Sequence, residues 1–226
     1  MKNYLIVGAD RGIGKAMCRQ LASEGGRVLA GCLGEARGLV SEGFEVLPGV
    51  DVTSDAAMQE LSERITGVKI DVLLNVAGVY FDDTLDDMSM ENVLLQMNVN
   101  ALGPLRVIRA VRHTLRKGSK VGIVTSRMGS LADNGTGRLY GYRMSKAAAN
   151  MLGVSLARDL EPHGIMVALL HPGMVDTDLV PDLQENVRRT LISPEDAAKG
   201  MLKRITALTP QTTGQFWHGN GEVLPW

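Results

Sequence analysis

The sequence carries no surplus of either charge, few aromatics, little cysteine and no long apolar run, and each shortage excludes something. Its 24 basic and 25 acidic residues leave a formal charge of −1, so nothing draws it electrostatically to nucleic acid or to an anionic membrane. Cysteine occurs only at Cys18 and Cys32. Two isolated thiols without CxxC spacing read as core residues in a reducing compartment, not as a disulfide framework. The four histidines, His113, His163, His171 and His218, are spread too widely for a local metal pattern, and no metal is expected. No run approaches the roughly 20 apolar residues of a membrane span. The apolar run Tyr4-Leu5-Ile6-Val7 begins at once, with no signal peptide ahead of it. The expectation is a soluble, cytoplasmic protein. Its 226 residues suit one domain over 1–226 with a single sizeable core.

What is present is an alternation of short apolar runs with helical periodicity. Tyr4 to Val7 reads as a buried strand and enters Gly8-Ala9-Asp10-Arg11-Gly12-Ile13-Gly14. Helical spacing follows through Ala16, Met17, Leu21 and Ala22, up to Gly25-Gly26. Strand, glycine-rich turn and helix are the context of a dinucleotide site. The glycines allow a tight turn, and the helix N-terminus offers free N–H groups to a pyrophosphate. Further strands are expected at Val28–Cys32, Phe44–Leu47, Asp71–Leu74, Val121–Thr125, Ile165–Leu170 and Thr213–Trp217. Helices are expected from Thr53 or Ser54 to Ile65, through a helix-rich stretch from Ser89 to Leu115, from Met144 to Leu160, and from Ser193-Pro194-Glu195 onward. Met174 to Val187 reads as a short flap. This pattern predicts an α/β protein with a doubly wound, Rossmann-type parallel sheet of about seven strands and helices on both faces. Ligands of such sheets bind at the strands' C-terminal ends. Gly8 to Gly14, Asn75 to Gly78, Ser126 and Pro172-Gly173 all follow expected strands.

Residues after the second strand usually select the cofactor: an acid accepts ribose hydroxyls, a base meets the 2′-phosphate of NADP. Here Leu33 and Gly34 come first, then Glu35 and Arg37, and the signal is mixed. Arg11 can approach a 2′-phosphate, or can be a solvated surface charge. Asp10 does not help a phosphate, and is a candidate helix cap. The reading leans to NADP(H) over NAD(H).

The acid/base chemistry centres on Tyr142-Arg143-Met144-Ser145-Lys146, with Ser126 sixteen residues earlier. On a helix, Tyr142 and Lys146 lie one turn apart on one face. A fixed ammonium beside a phenol is expected to lower its pKa from about 10 towards working pH, making a proton donor for a carbonyl or an acceptor for an alcohol. Ser126 ends an apolar run and can bind the same oxygen. Tyr-x-x-x-Lys also arises by chance in many helices, so the pair alone decides little.

Taken together, these motifs resemble the classical short-chain dehydrogenase/reductase family over essentially the whole chain. Gly8, Gly12 and Gly14 match its glycine motif, and Asn75-Val76-Ala77-Gly78 its Asn-Asn-Ala-Gly turn with one substitution. Asn98, Ser126, Tyr142 and Lys146 match its catalytic tetrad. Pro172-Gly173 with Thr177 matches the segment that closes over nicotinamide, and Asp51-Val52 the pair beside adenine. Ser126-Arg127-Met128-Gly129-Ser130 and the ending Leu224-Pro225-Trp226 look like the C-factor-like branch, which includes carbonyl reductases. Val7 and Asp10 depart from the family's usual threonine and serine or asparagine. Tyr140 is no rival to Tyr142, because Met144 and not a lysine follows it by four.

The resemblance implies hydride transfer between a nicotinamide and a carbonyl or secondary alcohol. Tyr142 would act as acid, Ser126 as hydrogen-bond partner, and Lys146 on both the tyrosine and the nicotinamide ribose. Asn98 would organise a water. It also implies that Gly8, Asp10, Arg11, Gly12, Ile13, Gly14, Leu33, Asp51, Val52, Asn75, Ala77, Gly78, Tyr142, Lys146, Pro172, Gly173, Val175 and Thr177 hold the cofactor. A homodimer or homotetramer is the family expectation, and the alanine-rich helix after Lys146 permits it. Other readings are an NADP-binding regulatory or signalling protein with little turnover, and a non-redox isomerase or dehydratase. The expected pocket wall, Tyr80-Phe81 with Met174 to Val180, suits a modest apolar carbonyl compound.

Overall fold

The structure, a computed structural model, describes residues 1–35, 37–42, 44–179 and 190–226. Each short apolar run forms a strand: β1 (Asn3–Val7), β2 (Arg27–Gly31), β3 (Glu45–Leu47), β4 (Ile70–Asn75), β5 (Leu115–Val124), β6 (Met166–His171) and β7 (Phe216–His218). The periodic segments form α1 (Gly12–Ser23), α2 (Arg37–Ser41), α3 (Asp55–Arg64), α4 (Met90–Met97), α5 (Gly103–Val111), α6 (Tyr140–Leu160) and α7 (Pro194–Ala207). A π-helical turn, Asn98–Leu102, joins α4 to α5. The strands pair in the order β3-β2-β1-β4-β5-β6-β7, and each of these pairings is parallel.

Side chains alternate along each strand, so one sheet serves two apolar layers. Leu5, Val7, Leu29, Leu73, Val121, Ile123 and Val167 face one layer, with Met58 and Leu61 of α3, Val107 and Ile108 of α5, and Ala157 and Leu160 of α6. Ile6, Ala30, Val72, Leu74, Ala168 and Leu170 face the other, with Met17 and Leu21 of α1 and Met201, Leu202 and Ile205 of α7. Each fully buried side chain of this size stabilises the fold by about 1.5–3 kcal/mol relative to exposure. The serines expected to start helices do so. Ser54 accepts from Ala57 N, Ser89 from Asn92 N, and Ser193 from Asp196 N, each cap contributing about 1 kcal/mol.

The strand order reverses between β1 and β4, and a ligand crevice opens at such a switch point. Gly8 follows β1, and Asn75 to Gly78 close β4. Val76 N and Ala77 N both donate to Val7 O, at 2.8 and 3.0 Å, which ties the two turns together.

Several boundaries differ from the sequence expectation. The helix-rich stretch ends at Thr114, and β5 begins at Leu115. α6 starts at Tyr140, not Met144, because the buried carboxylate of Asp83 accepts from Tyr140 N and Gly141 N. The short α2 has no counterpart in the expectation. Of the expected flap, 180–187 lie outside the described residues; Val175 pairs with Ile192 as an isolated bridge. Among the described residues, no helix is long and apolar enough to cross a membrane. Cys18 and Cys32 are free and buried.

Candidate active site

A groove of about 750 Å³ runs along the C-terminal ends of β1, β2 and β4, within the range of small-molecule sites. Gly8, Asp10, Arg11, Gly12, Ile13, Gly14, Leu33, Asp51, Val52, Ala77, Gly78 and Thr177 line it. Gly8 has φ +86°, and a Cβ there would lie 2.5 Å from Ala77 N, so only glycine allows the two turns to meet. Arg11 is the N-cap residue of α1 and makes no side-chain cap, leaving that helix's first N–H groups facing the groove. Asp10 does not cap the helix: its carboxylate accepts from Leu33 N and Gly34 N. Asn75 is 1% exposed, and neither Nδ2 nor Oδ1 has a partner. Orphaned amide atoms at a strand end beside a glycine cradle fit a bound nucleotide. Pro172, Gly173 and Val175 lie on the segment that leads from β6 to Thr177.

Ser126, Tyr142 and Lys146 come together where this groove ends. Ser126 follows β5 and opens a 3₁₀ turn, its Oγ accepting from Met128 N at 3.2 Å. Tyr142 and Lys146 share one face of α6, with Nζ 5.6 Å from the phenol ring centroid. Nζ donates to Val124 O at 3.2 Å and lies 3.6 Å from where a Gly78 Cβ would stand. The edge of one ring of the pair Tyr80 and Tyr142 meets the face of the other, centroids 5.1 Å apart. Gly129, three residues after Ser126, lets this loop reach α6. A Cβ there would stand 2.6–2.8 Å from Lys146 C, Lys146 O and Ala147 N. Two residues that sequence reading missed hold the loop in place. Thr125 Oγ1 donates to Asn150 Oδ1 at 2.7 Å, and Asn150 Nδ2 to Gly129 O at 3.3 Å.

Asn98 is not part of this cluster. Its Oδ1 accepts from Arg106 Nη1 at 2.8 Å, and Arg106 also pairs with Asp55 at the start of α3. Asn100 occupies the place expected of Asn98. It is 1% exposed, its Oδ1 accepts from Val79 N, and its Nδ2 donates to Val79 O and Ser145 Oγ. That Oδ1 is 3.2 Å from the position of a Gly78 Cβ. The physical reason is helical phase. Counting about 100° per residue, Asn100 lies within about 20° of Val93, whereas Asn98 lies about 140° away. Buried Val93 sets the inward direction of α4, and the π turn that follows carries Asn100 on that side.

Burial dominates the electrostatics, against the expectation that Lys146 lowers the tyrosine pKa. Burial pushes the Tyr142 phenol up to about 12, opposed by the Ser126 hydrogen bond and reinforced by Tyr80. Burial also pushes Lys146 down to about 8. At neutral pH Tyr142 is therefore a protonated donor, suited to protonating a nascent alkoxide.

A parallel sheet with a nucleotide-type crevice at its switch point, ending in a serine, a buried tyrosine and a buried lysine, defines a nicotinamide-dependent oxidoreductase. Residues 2–188 match the short chain dehydrogenase family. A 1-hydroxy-2-glutathionyl-2-methyl-3-butene dehydrogenase of Rhodococcus sp. (strain AD45) is 47% identical over 228 residues, covering 100% of both chains. The C-signal of Myxococcus xanthus is 43% identical over 173 residues, covering 75% of this chain and 100% of its own. The crystal structure of an NADPH-bound carbonyl reductase from chicken fatty liver superposes with a TM-score of 0.87 at 26% identity, covering 100% of this chain and 99% of its own. The chain belongs to the short-chain dehydrogenase/reductase family and is an NAD(P)-dependent oxidoreductase.

Proposed function

We propose that the chain, as one nucleotide-binding unit over 1–226, is a carbonyl reductase that favours NADP(H) and acts on small molecules. The observation that carries this reading is the buried Tyr142, on one face of α6 with Lys146 and beside Ser126, at the end of a glycine-cradled groove. A bound nicotinamide supplies the hydride. Tyr142 Oη donates its proton to the carbonyl oxygen as negative charge grows there, and the Ser126 hydroxyl hydrogen-bonds the same oxygen. Lys146 Nζ, anchored on Val124 O, would hold the ribose of a bound nicotinamide nucleotide, and it keeps positive charge near the phenol. Asn100, not Asn98, fixes the Val79 backbone against α6 at this point. Gly8, Asp10, Arg11, Gly12, Ile13, Gly14, Leu33, Asp51, Val52, Asn75, Ala77, Gly78 and Thr177 hold the nucleotide, with Pro172, Gly173 and Val175 carrying the covering segment.

Relatives support the carbonyl/alcohol chemistry: one is named a dehydrogenase, and a structural neighbour is a carbonyl reductase with NADPH bound. The cofactor lean follows that neighbour. A homo-oligomer is supported by Met144 and Met151, 53% and 68% exposed on one face of α6. A reducing, cytoplasmic setting suits two free buried thiols. A regulator without turnover has no need of Ser126, Tyr142 and Lys146 together.

The test follows NADPH and NADH absorbance with aldehydes, ketones and quinones, for the wild type and Tyr142→Phe. NADPH oxidation falling about 10²–10⁴-fold in the variant, with NADPH still bound, is the expected result. Full activity in the phenylalanine variant removes Tyr142 as the acid.

A further inference from the structure

The end of β2 is where a groove of this kind meets the adenosine ribose, and in this chain a residue from the neighbouring turn after β1 fills that place. Cys32, Leu33, Gly34 and Glu35 follow the strand and bring no cation ahead of Arg37. Two backbone N–H groups there are already engaged. Asp10 Oδ2 accepts from Leu33 N at 3.2 Å, and Asp10 Oδ1 from Gly34 N at 3.3 Å. Asp10 belongs to the glycine-rich turn after β1, so its carboxylate bridges the two adjacent loops, and Asp10, Leu33 and Gly34 all line the groove. Its charge is felt by its neighbour: after burial, Asp10 is the second cause pushing the Cys32 thiol up to about 12. Arg11, the adjacent cation, has a side chain 67% exposed and reaches Asp178 at 3.5 Å. Its attraction for an anion is therefore screened and shared.

We infer that Asp10 is the specificity-determining residue that reads the 2′-position of the adenosine ribose. This rests on the groove being the nucleotide site. An ionised carboxylate only accepts hydrogen bonds, so it takes one from a 2′-hydroxyl and repels a 2′-phosphate. By holding Leu33 N and Gly34 N it also withholds the two backbone donors that a phosphate would use. Arg11 pulls the other way, towards the 2′-phosphate. The outcome is a narrow preference: NAD(H) is accepted alongside NADP(H), and Asp10 is what keeps the gap small.

The test measures dissociation constants of NADPH and NADH for the full chain by nucleotide fluorescence, in wild type and Asp10→Asn. Shifts in Tm with 2′,5′-ADP and with 5′-ADP probe the adenosine half alone. In the variant one carboxamide oxygen still accepts from the loop, one N–H is freed, and the negative charge is gone. The expected result is NADPH and 2′,5′-ADP tightening about tenfold or more, while NADH stays within about threefold. Equal shifts for both cofactors, or no shift for either, overturn the inference. If Asp10→Asn does not fold, Asp10→Ser and the wild-type ratio decide. Wild-type constants within about tenfold of each other support the inference, and a larger gap overturns it. A wild type that binds neither nucleotide sinks the groove reading itself, a different failure from a binder whose discrimination ignores position 10.

Discussion

Lys146 is an ammonium with 4% of its surface exposed, held by one carbonyl. Enclosure of a charge destabilises a fold unless partners compensate. Burial takes its pKa from 10.5 down to about 8, so between those values the folded chain binds fewer protons than the unfolded one. Stability attributable to this residue therefore rises as pH climbs from about 8 to about 10.5, and below 8 the full penalty is present. A shift of that size corresponds to about 3 kcal/mol at pH 7, partly offset by the bond to Val124 O. Lys146→Met is expected to lose activity and yet unfold at equal or higher urea concentration at pH 7. Its stability should also lack the alkaline rise of the wild type. If the methionine variant is more than about 1 kcal/mol less stable at pH 7, the ammonium is a net stabiliser and this account fails. The pairing of Tyr142 with Lys146 was legible in the sequence, because one helical turn fixes it. The direction of the tyrosine shift was not. It depends on how much of Tyr80, the Ser126 loop and α6 encloses the phenol, and those contacts come from distant segments.

At the scale of elements, the break from α4 to α5 governs which asparagine serves the site. The π turn at Asn98–Leu102 inserts a wider register between two α-helices, a feature that recurs at functional sites. It leaves Asn100 buried against Val79 and Ser145, and Asn98 on Arg106. Asn100→Ala would strand Val79 N and Val79 O beside the groove. It should cost about 1–3 kcal/mol in stability and lower kcat about tenfold or more, since small displacements at a site are expensive in rate. Asn98→Ala removes a partly exposed bond and should leave kcat within about threefold, with under about 1 kcal/mol lost. Urea unfolding and steady-state rates of the two variants check the assignment, and the reverse ranking would return the role to Asn98. Most elements here were legible from apolar period and serine caps. Less so was the start of α6, where Arg138 and Leu139 take φ of 56° and 55°. What holds that start is Asp83, more than fifty residues away, whose backbone O accepts from Leu139 N.

Across the whole molecule, the two apolar layers stabilise the fold while the C-terminal edge of the sheet concentrates polar groups that burial disfavours. His171 ends β6 against His218 at the end of β7, centroids 4.9 Å apart and rings perpendicular, and its Nδ1 is buried without a partner. Burial takes its pKa from 6.5 down to about 3, helped by His218, Arg127 and Lys146. His218 is lowered too, chiefly by burial and then by Arg127. The folded chain therefore keeps His171 neutral where the unfolded chain protonates it. Between about pH 6.5 and 3 the unfolded state binds the extra proton, so stability falls as pH falls across that window and is independent of His171 above it. The limiting slope for one proton is about 1.4 kcal/mol per pH unit, so about 2 kcal/mol is at stake between pH 6.5 and 4.5. His171→Phe keeps a ring against His218 and removes the titrating group. Denaturant unfolding of both proteins across this range, where the carboxylates contribute alike, should show a shallower acid limb in the phenylalanine variant. Parallel limbs would mean that His171 opens to water and protonates in place, and that this edge of the sheet is looser than its packing describes.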